Sequence, residues 1–195
     1  MVQEEKKMLR QQRAREEWVI VLDYLHHGYA EDSRPFHMKE PIVQAIGRDH
    51  FTLFEIVPNT GILLKASDEI YIGEGKRDKV RYIKGILPAE KLTQTAKTEL
   101  PFIIEKLVSA NEKCFVDFFN NAGAVSLRSH QLELLPGIGR KHTAEVLEER
   151  KRKAFTSFAD IKKRVPAVPD PKKAIVQRIL DELEEKDRFR LFVRV

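Results

Sequence analysis

Six short runs in the first half of the chain carry apolar residues in the pattern of β-strands: WVIVLDYL from Trp18, then PIVQAIG, FTLFEIV, GILLK, EIYIG and KVRYIKGIL. They are rich in β-branched and aromatic residues. The segments between them, PNTG, ASDE and GEGKRD, are made of turn formers. The pattern predicts about five strands over residues 18–88, closed as a small antiparallel β-barrel of OB-like or S1-like form. A basic, glycine-containing hairpin is expected at residues 73–79. After Pro88 the period changes. AEKLTQTAKTEL, PFIIEKLVSANEKCFVDFFNNAG and SLRSHQLELL place apolar residues at helical spacing, so residues 89–187 read as a helical domain. Ser126 is the expected N-cap of a helix running into Leu135, and Asp170-Pro171 supplies a cap and first-turn proline for KKAIVQRILDELEEK. The closing segment RFRLFVRV, within residues 188–195, alternates basic and apolar positions and predicts an edge strand returning to the barrel. Residues 1–17 are dense in Glu, Lys, Arg and Gln and form a charged arm with little to dock. The fold class is α+β.

Composition changes this picture modestly. Charged residues make up 33% of the 195, and the excess of Lys and Arg gives a net charge of +5. A partner attracted at long range is therefore anionic. Cys114 is the only cysteine, which excludes internal disulfides and four-thiolate metal centres and fits a reducing compartment. The N-terminus lacks an apolar core of signal-peptide length, and no segment approaches the roughly 18 apolar residues needed to span a bilayer. The expectation is a soluble cytoplasmic protein with no membrane partner.

The stretch richest in chemistry is LELLPGIGRKHTAEVLEERKRKAF, residues 132–155. Two helix-forming runs are interrupted by Pro136-Gly137-Ile138-Gly139, and positive charge follows at once in Arg140 and Lys141. Glycines permit positive φ and close approach of another backbone. The first N–H groups of the following helix, at the positive end of its dipole, make an anion site that two basic side chains reinforce. The stretch resembles the helix-hairpin-helix motif, placed here at residues 127–150. Its pattern is met by Leu134, Leu135, Pro136, Gly137, Ile138, Gly139, Arg140, Lys141 and Ala144. The resemblance implies that the hairpin backbone binds nucleic-acid phosphates without reading bases, often with a bound monovalent cation and no other cofactor. Arg150, Lys151, Arg152 and Lys153 extend the basic surface, followed by Lys162, Lys163 and Arg164. SFADIKKRVPAVPDPKKAIVQRIL looks like a second copy of helix, turn and helix that has lost its glycines, so its turn should lack phosphate-binding geometry.

YLHHGYAEDSRPFHMKEPIVQAIGRDHFTLFEIVP, YIGEGKRDKVRYI, CFVDFFNNAG and LELLPGIGRKHTAEVLEER together resemble an archaeal family of uncharacterised proteins with an inferred role in RNA binding. In that family a β-barrel precedes a helix-hairpin-helix region, and the likeness runs from about Val19 to the C-terminus. It implies RNA over DNA as partner, a choice that composition cannot make. Base-excision DNA glycosylases share LPGxGRK, and their pattern would make Lys141 a nucleophile with a catalytic aspartate at about Asp160. Their cysteine cluster and Val-Asp segment are missing here. A third reading is a protein-interaction module whose hairpin is a tight structural corner.

Other constellations are weaker. His26, His27, His37, His50, His130 and His142 form no HExxH or other metal spacing. Gly73-Glu74-Gly75-Lys76-Arg77 lacks the full phosphate-loop spacing, although Lys76 and Arg77, with Lys79 and Arg81, form a basic tip able to track a phosphate backbone. Phe51, Phe54, Tyr71 and Tyr82 are candidates for base stacking or for the barrel core. Phe115, Phe118 and Phe119 fall at helical spacing and read as core.

Overall fold

The computed structural model describes residues 16–127 and 129–194. All of the predicted arm except Glu16 and Glu17 lies outside them. The chain divides into two compact units between Ile86 and Leu87.

The first unit is one antiparallel sheet of five strands: β1 (Trp18–Leu25), β2 (Ile42–Gly47), β3 (Leu53–Pro58), β4 (Glu69–Tyr71) and β5 (Val80–Ile86). Their order is β4-β1-β2-β3-β5. Alternation does the work. Val19 and Val21 of β1, Val43 and Ala45 of β2 and Ile56 of β3 share one buried cluster with Ile70, Ile72 and Val80. Central β2 is buried at every position, as a strand with neighbours on both sides should be. A bulge between Val21 and Asp23 in the β1–β2 pairing helps the sheet curl into a half-barrel. Of the six predicted runs only GILLK forms no strand; instead Leu64 packs into the core and the Ile62 carbonyl accepts a hydrogen bond from the Tyr24 hydroxyl at 3.0 Å.

Two expectations are corrected here. The sheet is not closed: β4 and β5 lie at opposite edges, and the antiparallel pairings around the sheet leave them pointing the same way. Pairing them would require a parallel crossover, which needs about a dozen residues or more, and the link from Ile72 to Lys79 is too short. Residues 73–79 are therefore an edge-to-edge loop and not a hairpin.

The second unit holds five helices among the described residues: α1 (Gln94–Ala110), α2 (Glu112–Asn121), α3 (Arg140–Arg152), α4 (Phe158–Arg164) and α5 (Pro171–Leu183). On α1, Ala96, Leu100, Ile103, Ile104, Leu107 and Val108 form one buried stripe at helical spacing. Phe115 and Phe119 of α2 are buried as expected, and Phe118 is half-buried. Three helix starts are capped by side chains. Thr93 accepts from Ala96 N–H, Ser157 from Asp160 N–H and Asp170 from Lys173 N–H.

The expected helix from Ser126 to Leu135 is absent. Ser126 ends a short strand, β6 (Ala124–Ser126), paired with β7 (Ser129–His130), and only a single 3-10 turn, Gln131–Leu134, precedes the corner. His130 caps that turn by accepting Leu132 N–H on Nδ1 at 3.1 Å. The expected C-terminal strand is absent as well; residues 188–194 run irregularly, and Val195 lies outside the described residues. A buried ion pair explains why. Arg178 and Glu182, both on α5, are almost wholly excluded from solvent and bonded at 2.7 Å. The Glu182 carboxylate accepts the N–H groups of Leu191, Phe192 and Val193 at 2.7–2.9 Å, using up the donors that an edge strand would have offered. Arg178 in turn donates to the carbonyls of Phe189 and Leu134.

Candidate functional site

The corner begins where the 3-10 turn stops. Leu132, Leu135 and Ile138 are buried, and Ile138 N–H closes onto the Leu135 carbonyl at 3.0 Å. Leu135 and Ile138 flank Gly137, and both glycines lie exposed at the surface. Gly137 has φ +79°, the left-handed region that glycine occupies without strain. A methyl group built on it would also lie 2.8 Å from Pro169 Cγ, so packing as well as conformation requires glycine there.

Gly139 differs. Its φ is −97° and ψ −177°, an extended conformation open to any residue, and a methyl group built on it would meet nothing within 4 Å. It is the N-cap of α3, and no side chain caps that helix. The chain's own packing does not demand glycine at this position. The Thr143 N–H bonds the Gly139 carbonyl at 2.9 Å, which leaves the N–H groups of the first turn of α3 without intrahelical partners. They sit at the positive end of a 13-residue helix dipole.

The structure sorts the predicted basic residues sharply. Arg140 and Lys141, at the head of α3, are exposed and make no ion pair among the described residues. Arg150 does not belong with them: its guanidinium donates to the carbonyls of Phe119 and Ala122 at 3.1 and 2.9 Å, closing the C-terminal end of α2. Burial lowers its pKa from the ordinary arginine value. Lys151 and Arg152 are exposed and paired with Glu148 and Glu149 one turn back, and Lys153 is exposed at the end of the helix. Arg164 is structural too, bonding the Glu149 carboxylate and the Lys153 carbonyl while lying 4.4 Å over the Phe155 ring. The motif position assigned to Ala144 is also revised. Ala144 is exposed, and the small buried residue after the corner is Thr143, whose Oγ1 has no hydrogen-bond partner among the described residues.

In the first unit Lys76 is highly exposed, with only a loose 3.3 Å pairing to Asp78. Arg77 is committed locally, donating from Nε to the Gly73 carbonyl at 2.8 Å. Tyr71 folds over the same loop, accepting Gly75 N–H at 3.1 Å and meeting Trp18 edge-on. Phe51 is buried and Phe54 packs on the core, so of the four candidate stacking rings only Tyr82 is exposed, with its hydroxyl bonded to Glu40 at 2.8 Å. A polar cluster that the sequence did not announce spans the sheet. Tyr29 donates to Glu55 at 2.9 Å and accepts from the buried Gln44 at 3.1 Å, and Glu55 pairs with Lys84. Burial pushes the Tyr29 hydroxyl up to about 12.

Asp160 is tied into its own helix start. Its carboxylate accepts Thr156 N–H at 3.1 Å and lies 3.4 Å from Arg164, an arrangement that completes the cap begun by Ser157. No group of three or more His, Cys, Asp or Glu among the described residues is placed to hold a metal. At the corner the carbonyls of Leu135 and Gly139 each accept one backbone hydrogen bond, and that of Gly137 lies 3.0 Å from His142 Nδ1. No helix among the described residues is long and apolar enough to cross a membrane.

Residues 15–194 match the family model described as a protein of unknown function, DUF655. The chain is similar to the uncharacterized protein MJ0038 of Methanocaldococcus jannaschii, with 39% identity over 181 residues that cover 92% of this chain and 80% of that one. It is also similar to Af1531 from Archaeoglobus fulgidus. That crystal structure gives a TM-score of 0.84 at 43% identity, covering 92% of this chain and 100% of the other.

Proposed function

The chain belongs to the family described as protein of unknown function DUF655, and within it we propose that this protein binds the phosphate backbone of a nucleic acid, RNA in preference to DNA, through the Pro136–Gly139 corner and the head of α3. The proposed role is binding without catalysis. The 3-10 turn, the corner and α3 together act as a shortened helix-hairpin-helix.

Gly139 carries the reading. At an N-cap, Ser, Thr, Asp or Asn stabilises a helix, and this unit uses such residues at Thr93, Ser157 and Asp170. At Gly139 the backbone would accept any of them and the space beside it is open. A capping side chain there would occupy one of the first-turn N–H groups and crowd the rest. Glycine leaves those donors to an external anion and lets it approach the backbone closely. Exposed Arg140 and Lys141 add full charges beside the partial charge of the helix end, which suits the oxygens of a phosphodiester. Contacts of this kind position a nucleic acid and carry no sequence information. The preference for RNA rests on the family resemblance. A glycosylase is not favoured, because Asp160 is engaged as a helix cap.

Gly139→Ser tests the proposal. Serine at this φ and ψ caps α3, so melting should hold or rise, while its hydroxyl takes one of the donors offered to phosphate. Affinity for an oligonucleotide should fall about tenfold, the equivalent of roughly one charge-assisted hydrogen bond. Unchanged affinity in a fully folded Gly139→Ser variant would overturn the proposal.

A further inference from the structure

Resting on that reading, we infer that the site grips one strand only, and that Asp170 is the residue that denies a second strand an equivalent seat. The chain repeats its architecture after the corner: α4, a six-residue link, then α5, all matching the expected second helix, turn and helix. The two turns touch, since the close neighbour of Gly137 is Pro169 from the second link. Two adjacent helix starts offered to two phosphate chains would suit a duplex.

The second start is built the other way. Asp170 caps α5 with its own carboxylate, accepting Lys173 N–H at 3.1 Å, and so places a full negative charge where the first start has a bare glycine. Pro171 follows at the first helical position and has no N–H to give. The ammonium of Lys162, an exposed residue, donates to the carbonyls of Pro166 and Val168 at 2.9 and 2.6 Å, closing the glycine-free turn. Lys172 pairs with Glu105 at 2.7 Å. One first-turn donor is filled and another is missing, a carboxylate is presented and two lysines are paired within the unit. The side-by-side pair thus becomes one attractive and one repulsive seat. The ligand class this fits is a single strand, or one exposed strand of a folded RNA.

The experiment uses the full chain and one fluorescently labelled oligonucleotide, alone and annealed to its complement, with neutral methylphosphonate linkages placed singly along either strand. The expected results are that the duplex binds no more tightly than the single strand, and that neutral linkages weaken binding on one strand only. Asp170→Ser, which keeps the cap and removes the charge, should raise duplex affinity about two- to fourfold, the Coulomb repulsion between unit charges some 6–8 Å apart in water. It should leave single-strand affinity within twofold. Equal sensitivity to neutral linkages on both strands, or a duplex bound more tightly than the strand, overturns the one-strand inference and leaves phosphate binding intact. Salt-independent binding, or none, in both arms overturns the phosphate reading itself.

Discussion

Replacing the two corner glycines one at a time with alanine should separate their roles by stability alone. At Gly137 the perturbation has three parts. Alanine in the left-handed region costs about 1–2 kcal/mol. Its methyl, 2.8 Å from Pro169 Cγ, forces the second turn to shift at about 1 kcal/mol or more. Against these, the stiffer unfolded chain returns about 0.4–1 kcal/mol. The net loss is about 2 kcal/mol. At Gly139 there is no left-handed strain and no contact. The poorer N-cap, about 0.5–1 kcal/mol, and the unfolded-state gain nearly cancel. For a chain of this size 1 kcal/mol moves the melting temperature by about 2–4 °C, so Gly137→Ala should melt about 4–8 °C lower and Gly139→Ala within about 2 °C of the parent. Circular dichroism melts at one protein concentration suffice. Equal losses at the two positions, or a larger loss at Gly139, would refute the assignment of Gly137 to the fold and Gly139 to the ligand.

Further outcomes follow from the buried network. Glu182→Gln strips Arg178 of its buried charge partner and weakens acceptance of three backbone N–H groups, so urea denaturation should report a loss of about 3–5 kcal/mol. Arg150→Ala should cost about 1.5–3 kcal/mol by freeing the α2 carbonyls while leaving the salt dependence of binding unchanged, whereas a shallower dependence would return Arg150 to the binding surface. Burial, and then Arg150 nearby, hold His130 below the ordinary value of 6.5. The unfolded chain therefore takes up the proton first: this stability is complete above 6.5 and is lost as the pH falls below it. Melting temperature should drop on acidification through that range, and by less in His130→Asn.

The strands were legible because each is short and bounded by turn formers, and the helices because their buried stripes keep a helical period. The corner was legible in its glycines and in Arg140 and Lys141. What escaped the sequence depends on partners distant along the chain. Whether the sheet closes is decided by which edge β5 joins, and KVRYIKGIL reads the same at either edge. RFRLFVRV has the alternation of a strand, but the buried Glu182 carboxylate captures its N–H groups. The run from Arg150 to Lys153 looks uniform in sequence. Only the fold reveals that Arg150 points inward to the end of α2 and that Lys151 and Arg152 are paired. The two glycines, identical as letters, differ because only one of them faces Pro169.

The central claim concerns phosphate, and the salt dependence of binding measures phosphate directly. Anisotropy of a labelled single-stranded RNA should be followed from about 50 to 300 mM salt for the parent and for the double variant Arg140→Ala, Lys141→Ala. With about three to five phosphates neutralised and a slope near 0.7 per phosphate for a single strand, the parent should give log K against log salt a slope of about −2 to −3.5. The double variant should lose about 1.4 of that slope, two phosphates' worth, with its melting temperature unchanged. An affinity indifferent to salt, or a double variant that keeps the parent's slope, would contradict the account.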